Sequence, residues 1–204
     1  MVVEAGDAGW ITDSGAKFTD GAPLKVSVTD RVVSEPGDDL VLHPPVLALG
    51  VGCERGADAA EVVELAETTL RDAGLAAGAV ASVVSLDLKA DEVAVHALAD
   101  HFNVPARFFN AKALETQTPR LANPSEVVFA EVGCHGVCEG AALAAAGPGG
   151  ELVVEKHKSA RATCAIARAP GDLDPATYGL PQGVLTVVGI GPGASDWRTP
   201  EVTA

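Results

Sequence analysis

VLALGVGCERG, residues 46–56, is a strand that stops on glycine. Its apolar β-formers end at Gly50 and Gly52, and apolar residues at helical spacing begin a few positions later. A buried strand that ends this way aims backbone N–H groups at the mouth of a sheet, where α/β proteins take their ligands. The segment therefore marks both the start of a domain and the first place to look for chemistry.

Downstream, strand and helix patterns alternate. Residues 46–51 read as a buried strand. Residues 58–72 carry Ala59, Val62, Val63, Leu65, Ala66 and Leu70 at helical spacing, with Asp58 as N-cap. Glu61 lies three positions on, as in a capping box, and Gly74 can end the helix. A second strand over 81–86 and a second helix over 91–102 follow, with Val93, Val95, Leu98 and Ala99 facing inward. Short strands are expected over 106–109 and 127–131, an alanine-rich helix over 137–146, and a closing strand pair over 151–155 and 162–168. Strands separated by helices predict an α/β fold. It is a three-layer α/β/α sandwich on a mixed, mostly parallel sheet, whose last pair can run antiparallel.

Upstream, residues 1–44 hold two short alternating stretches between Gly/Asp turns, one around Trp10 and one over 24–28. They suit a β-hairpin or the remnant of a preceding domain, and Pro44 and Pro45 make a stiff break before the unit spanning 45–168. After Ala169 a Pro/Gly/Asp linker runs to residue 183. Residues 184–204 then open a fresh glycine-ended strand, VLTVVGIGPG, expected to be the start of a second α/β domain without its body.

Of the 204 residues, 48% are hydrophobic and only 4% aromatic, so one aliphatic, tightly layered core is affordable. A net charge of −14 repels nucleic acid and anionic lipid, and sets both aside as partners. No run reaches the length of a transmembrane helix and no signal sequence is expected after Met1, so the composition predicts a cytoplasmic protein. Cys53, Cys134, Cys138 and Cys164 then read as small buried residues, ligands or nucleophiles before disulfides.

Four segments carry candidate chemistry. In the first, Gly50, Gly52 and Gly56 allow close backbone approach and Arg55 offers a planar fork for a carboxylate or phosphate, although the spacing is not a dinucleotide fingerprint. The bland alternative is a tight turn with nothing bound. Cys53 is a nucleophile favoured by a helix N-terminus, or a buried small residue. In the second, SLDLKADE, residues 85–92, Asp87, Lys89, Asp91 and Glu92 mix acid and base within a few positions. Equally, Asp91 is an N-cap, Glu92 a first-turn dipole partner and Lys89 a solvated charge. In the third, residues 133–147, the Cys134, His135 and Cys138 spacing suggests zinc, which would need Cys53 or His157 to complete it. The favoured reading there is a glycine-rich approach to a helix N-terminus, with Glu139 in its first turn. In the fourth, Lys156, His157, Lys158 and Arg161 form the densest basic group of an acidic chain, either a solvated loop or an anion site.

In this order the four segments resemble the C-terminal domain of the cobalamin biosynthesis protein CbiG and the stand-alone CobE proteins. The carriers are LALGVGCERG, SLDLKADE, VPARFFNA, the PSEVV…VGCHGVCEGAAL block and the LVVEKHK…ATCAIA end. Residues 184–204 look like the start of a tetrapyrrole methylase, notably precorrin-3B C17-methyltransferase, as in a fusion of the two activities. Glu54 takes a place that is often basic in the family, and Cys134, His135 and Cys138 fill variable ones.

The resemblance implies a role in corrin-ring synthesis. Full CbiG opens the δ-lactone of cobalt-precorrin-5A and releases acetaldehyde; CobE-like proteins suggest instead a non-catalytic module that holds a corrinoid intermediate. The implied partners are a precorrin or cobalt-precorrin and other enzymes of the pathway. No metal site or cofactor is expected, since S-adenosylmethionine would need the methylase body. On this resemblance Asp87 or Glu92 is the base. Arg55, Lys89 and Lys156 clamp carboxylates, and the backbone at Gly52 and Cys53 stabilises negative charge. Gly50, Gly56, Ser85, Gly133, Gly136, Glu139 and Thr163 complete the expected substrate site.

Overall fold

The computed structural model describes residues 1–19, 24–34 and 37–183, so the expected start of a second domain lies outside the described residues. The first elements are short: β1 (Val2–Val3), α1 (Gly9–Thr12), β2 (Val26–Val28) and β3 (Leu40–Leu42). The three strands pair in parallel in the order β1-β2-β3, so the hairpin, one of the two readings of this segment, is not formed. Trp10 lies in the single helical turn, so the alternation around it was not a strand. Ala8, Ile11 and Val28 bury one another. Asp30, itself buried, ties this layer to the larger unit through Arg168, at 2.6–2.7 Å.

The larger unit runs β4 (Leu47–Cys53), α2 (Ala59–Asp72), β5 (Val80–Leu86), α3 (Val93–Phe102), β6 (Ala106–Phe109), α4 (Ala111–Glu115), α5 (Glu126–Val132), α6 (Cys138–Ala146), β7 (Glu151–Lys158) and β8 (Ala162–Arg168). Its sheet has the order β6-β5-β4-β8-β7, with β4, β5 and β6 parallel and β8 and β7 antiparallel. Alternate residues of β4 face opposite layers, as a strand requires. Leu47, Leu49 and Val51 pack with Val62, Ala66 and Leu70 of α2 and Val95 and Leu98 of α3. Ala48 packs with Ala141 and Ala145 of α6 and with Leu114 of α4. The expected three-layer α/β sandwich with a mixed sheet is the fold.

Local signals set most boundaries. Asp58 caps α2 by accepting the Ala60 N–H at 3.0 Å, and Gly74, at φ +65°, follows its end. Glu61 does not close a capping box; its carboxylate goes to the Ser159 hydroxyl and, at 2.7 Å, to the Arg161 N–H. α3 starts later than expected, and Asp91 leaves the capping role to pair with Arg55. Residues 127–131, expected as a strand, lie in α5. Ser125 Oγ accepts the Val128 N–H there, and Gly133 ends the helix at φ +76°. The β-branched Val127 and Val128 suggested a strand, but the caps decided for helix.

Gly50 has a single structural reason. A Cβ on it would stand 1.9 Å from the Cys138 carbonyl oxygen, so the bare backbone lets α6 dock directly on the central strand. The alanines of α6 serve the same close approach: Ala141 and Ala142 are fully buried.

Candidate functional site

The C-terminal ends of β4, β5 and β6 share one edge of the sheet with the end of β7 and the start of β8. The chain adds β5 and β6 on one side of β4, then returns to place β8 on the other. Such a reversal opens a crevice beyond the strand ends. There the structure has a cleft of about 550 Å³. Its floor is Gly52 and Cys53, and Lys89 approaches from the turn after β5. One wall is Lys156, Lys158, Arg161 and Thr163; the other is Val128, Val132, His135 and Gly136.

The cations of the cleft are not equivalent. Arg55 donates to Asp91 and, at 2.6 Å, to the Leu88 carbonyl, and the Asp91 hydrogen bond raises its pKa further. Arg161 donates to Glu54 at 3.0 Å and to the carbonyls of Gly56 and Arg55 at 3.1 and 2.9 Å. Arg161 thus braces the 54–56 turn, and Arg55 ties that turn to residues 88–92. Lys156 Nζ donates to the Asn123 carbonyl at 3.0 Å. Among the described residues, the ammonium groups of Lys89 and Lys158 make no hydrogen bond or ion pair, which leaves them for a ligand.

On the facing wall a carboxylate fixes His135. Its Nδ1 lies 3.0 Å from both oxygens of Glu115, its backbone N–H donates to Glu115 Oε2 at 3.1 Å, and its ring stacks on Phe129 at 4.4 Å. The Glu115 hydrogen bond raises the His135 pKa and, reciprocally, lowers that of Glu115. Beneath the cleft, buried Glu139 accepts four hydrogen bonds, from the N–H groups of Ala122, Asn123 and Lys156 and from Asn123 Nδ2. Burial pushes its carboxyl up, but these donors and the Lys156 charge outweigh burial and hold it below the usual range.

The thiols are not activated. Burial raises the Cys53 pKa despite nearby Lys89 and Arg55, and pushes Cys138 up to about 11. Burial also raises Cys134 and Cys164. Among the described residues no three His, Cys, Asp or Glu side chains converge as a metal site would need.

Residues 47–167 match the family described as "Cobalamin synthesis G C-terminus". The chain belongs to that family. It is 56% identical over 121 residues to protein CobE of Sinorhizobium sp, covering 59% of this chain and 79% of that protein. It is 31% identical over 133 residues to the cobalt-precorrin-5A hydrolase of Priestia megaterium, covering 65% of this chain and 35% of the hydrolase. The chain therefore spans about a third of that enzyme. Among solved structures it resembles CobE, a protein from the cobalamin biosynthetic pathway, with TM-score 0.57 and 37% identity over 60% of this chain and 89% of that one. Membership in the cobalamin synthesis G family gives the chain a role in cobalamin biosynthesis. The family match ends at residue 167, so the methylase start read from residue 184 is not part of it.

In this family member the sheet edge gathers half of the residues expected at the site. Gly52, Cys53, Arg55, Lys89, Gly136, Lys156 and Thr163 line the cleft. The other half lies off it. Gly50 is under α6, and buried Ser85 donates to the Val51 carbonyl at 2.8 Å. Gly56 donates its N–H to Glu92 Oε1 at 2.7 Å, Gly133 ends α5, and Glu139 is the buried clamp. Neither expected base lines the cleft. Asp87 is exposed in a short turn outside the lining, and Glu92 is 5% exposed, spent on the Gly56 N–H and Arg55. The turn before α2 needs an acceptor, and Glu92 supplies it from 36 residues away.

The partner without a sequence signal is Glu115, which orients His135. His135, between Cys134 and Gly136, stood out only as a possible zinc ligand; Glu115, 20 positions away, carried no local signal.

Proposed function

We propose that residues 45–168 bind a carboxylate-bearing tetrapyrrole intermediate of cobalamin biosynthesis, without hydrolysing it, and present it to other enzymes of the pathway in the cytoplasm. One observation carries this reading: a protein of net charge −14 concentrates Lys89, Lys156 and Lys158 around one open cleft. Local cations in an acidic field select a ligand that carries several carboxylates. The apolar side chains of Val128 and Val132 on the α5 wall suit the body of such a ligand.

Hydrolysis of cobalt-precorrin-5A, the activity named for the longer relative, gains no support from the two carboxylates expected as its base, since neither faces the cleft. No helix among the described residues is long and apolar enough to cross a membrane.

The test is calorimetric titration of the chain with uroporphyrin, an octacarboxylate tetrapyrrole, and with cobalt-precorrin-5A, with acetaldehyde measured in the second case. Binding that weakens with salt is expected, and each of Lys89→Gln and Lys158→Gln should weaken it about threefold, from about 0.2–1 kcal/mol for an exposed ion pair. Acetaldehyde release would refute the non-catalytic reading; absence of binding would refute the site.

A further inference from the structure

The lysines do not account for the other wall of the cleft. His135 sits on the turn between α5 and α6, where Glu115 of α4 takes both its Nδ1 and its backbone N–H. Stacking on Phe129 fixes the plane of the ring. Among the described residues Nε2 makes no hydrogen bond and has only a long ion pair. The carboxylate facing it, Glu126 Oε1, stands at 3.6 Å, beyond hydrogen-bond reach, on a side chain that is 90% exposed. A ring oriented this firmly, with one nitrogen at a cleft wall held only by an exposed carboxylate at 3.6 Å, is built for a contact that a solvated loop does not need.

We propose that His135 is a second anion anchor of the cleft, its Nε2–H donating to a ligand carboxylate other than those met by Lys89 and Lys158. This rests on the reading that the cleft binds a carboxylate-bearing tetrapyrrole. It adds that the ligand presents carboxylates to two walls at once, so a compound with a single acidic edge binds less well. Glu115 is a positioning residue that acts through the ring.

The chemistry sets a condition on binding. Glu115 accepts hydrogen bonds only, so in a neutral imidazole the one hydrogen stays on Nδ1 and Nε2 turns a lone pair to the ligand. Only the imidazolium donates from Nε2. The groups around it are Glu115 on α4, Glu126 and Glu131 on α5, Asp87 near the neighbouring Cys134, and Lys156, Lys158 and Arg161 on the opposite wall. The carboxylates nearest the ring favour the charged form. A ligand carboxylate takes the place of Glu126, whose exposed side chain turns into solvent. Affinity therefore falls as pH rises and His135 loses its proton.

The test is calorimetry of the full chain with uroporphyrin between about pH 6 and pH 9, in two buffers of different protonation enthalpy. For the unmodified chain, affinity should fall about tenfold across this range, the lower end for a hydrogen bond between charged groups, with proton uptake on binding at the alkaline end. His135→Gln should bind with a flat pH profile, close to the unmodified chain's weak limb. Glu115→Gln should keep the fall but move it to lower pH, which a merely structural role for the pair would not do. Binding by the unmodified chain that ignores pH, or a fall that survives in His135→Gln, overturns the anchor and leaves the cleft reading standing. No binding at any pH overturns both.

Discussion

Glu139→Gln exchanges one buried oxygen for an NH2 group at almost constant volume, and its cost can be worked from the geometry. Glu139 is 1% exposed. One carboxylate oxygen accepts from the N–H groups of Ala122 and Asn123, both at 3.0 Å; the other accepts from Asn123 Nδ2 and the Lys156 N–H, both at 2.9 Å. Whichever way the new amide turns, its NH2 confronts two donors. Each buried donor left unmet costs about 1–3 kcal/mol, so the variant should lose about 2–6 kcal/mol. That is a large part of the roughly 5–15 kcal/mol typical of a folded domain. Urea unfolding should show the midpoint falling with little change in slope. The pH dependence supplies a second check. The Glu139 carboxyl is held below its ordinary value, so its contribution is complete above the unfolded pKa, about 4.3, and is lost as pH falls through the lower folded value. The difference between the two proteins should therefore narrow in acid. A loss below about 0.5 kcal/mol, within the range of ordinary surface changes, or a difference that widens in acid, refutes the clamp.

Gly50→Ala places a Cβ 1.9 Å from the Cys138 carbonyl oxygen, where ordinary contact begins at 3.4 Å, so α6 must lift from β4. A cost of about 1–3 kcal/mol or more is expected, seen as a melting point several degrees lower; an unchanged melting point would mean α6 does not seat on this glycine. Cys53 should react slowly with a disulfide reagent at neutral pH and faster as pH rises past about 9, because burial holds it protonated. A rapid phase at neutral pH would restore it as an activated nucleophile.

Some of this was legible in the chain and some was not, along a physical line. α2 could be read because its N-cap, its apolar spacing and its terminating Gly74 all lie within one stretch of sequence. α5 was misread because Val127 and Val128 favour strands and none of its residues is buried, so no core-facing stripe corrected the impression. Ser125 and Gly133 were the contrary signals, and they stood in the sequence. The parallel pairing of β1, β2 and β3 had no local signature, since it depends on segments outside each strand.

The site divides the same way. The glycine-ended strand over 46–56, the SLDLKADE turn, the GCHG turn and the basic pair on β7 were each visible alone, and periodicity was enough for an α/β sandwich whose strand ends carry them. What each side chain does there was decided only by tertiary structure. Arg55 and Glu92 look like a clamp and a base, yet Arg55 is taken by Asp91 and Leu88, and Glu92 by the Gly56 N–H. His135 looks like half of a metal site, yet Glu115 makes it an oriented imidazole at the cleft wall. Periodicity and caps are set by neighbours in the chain, whereas a polar side chain's role is set by whichever donor or acceptor folding leaves unmet beside it, here 20 to 37 residues away.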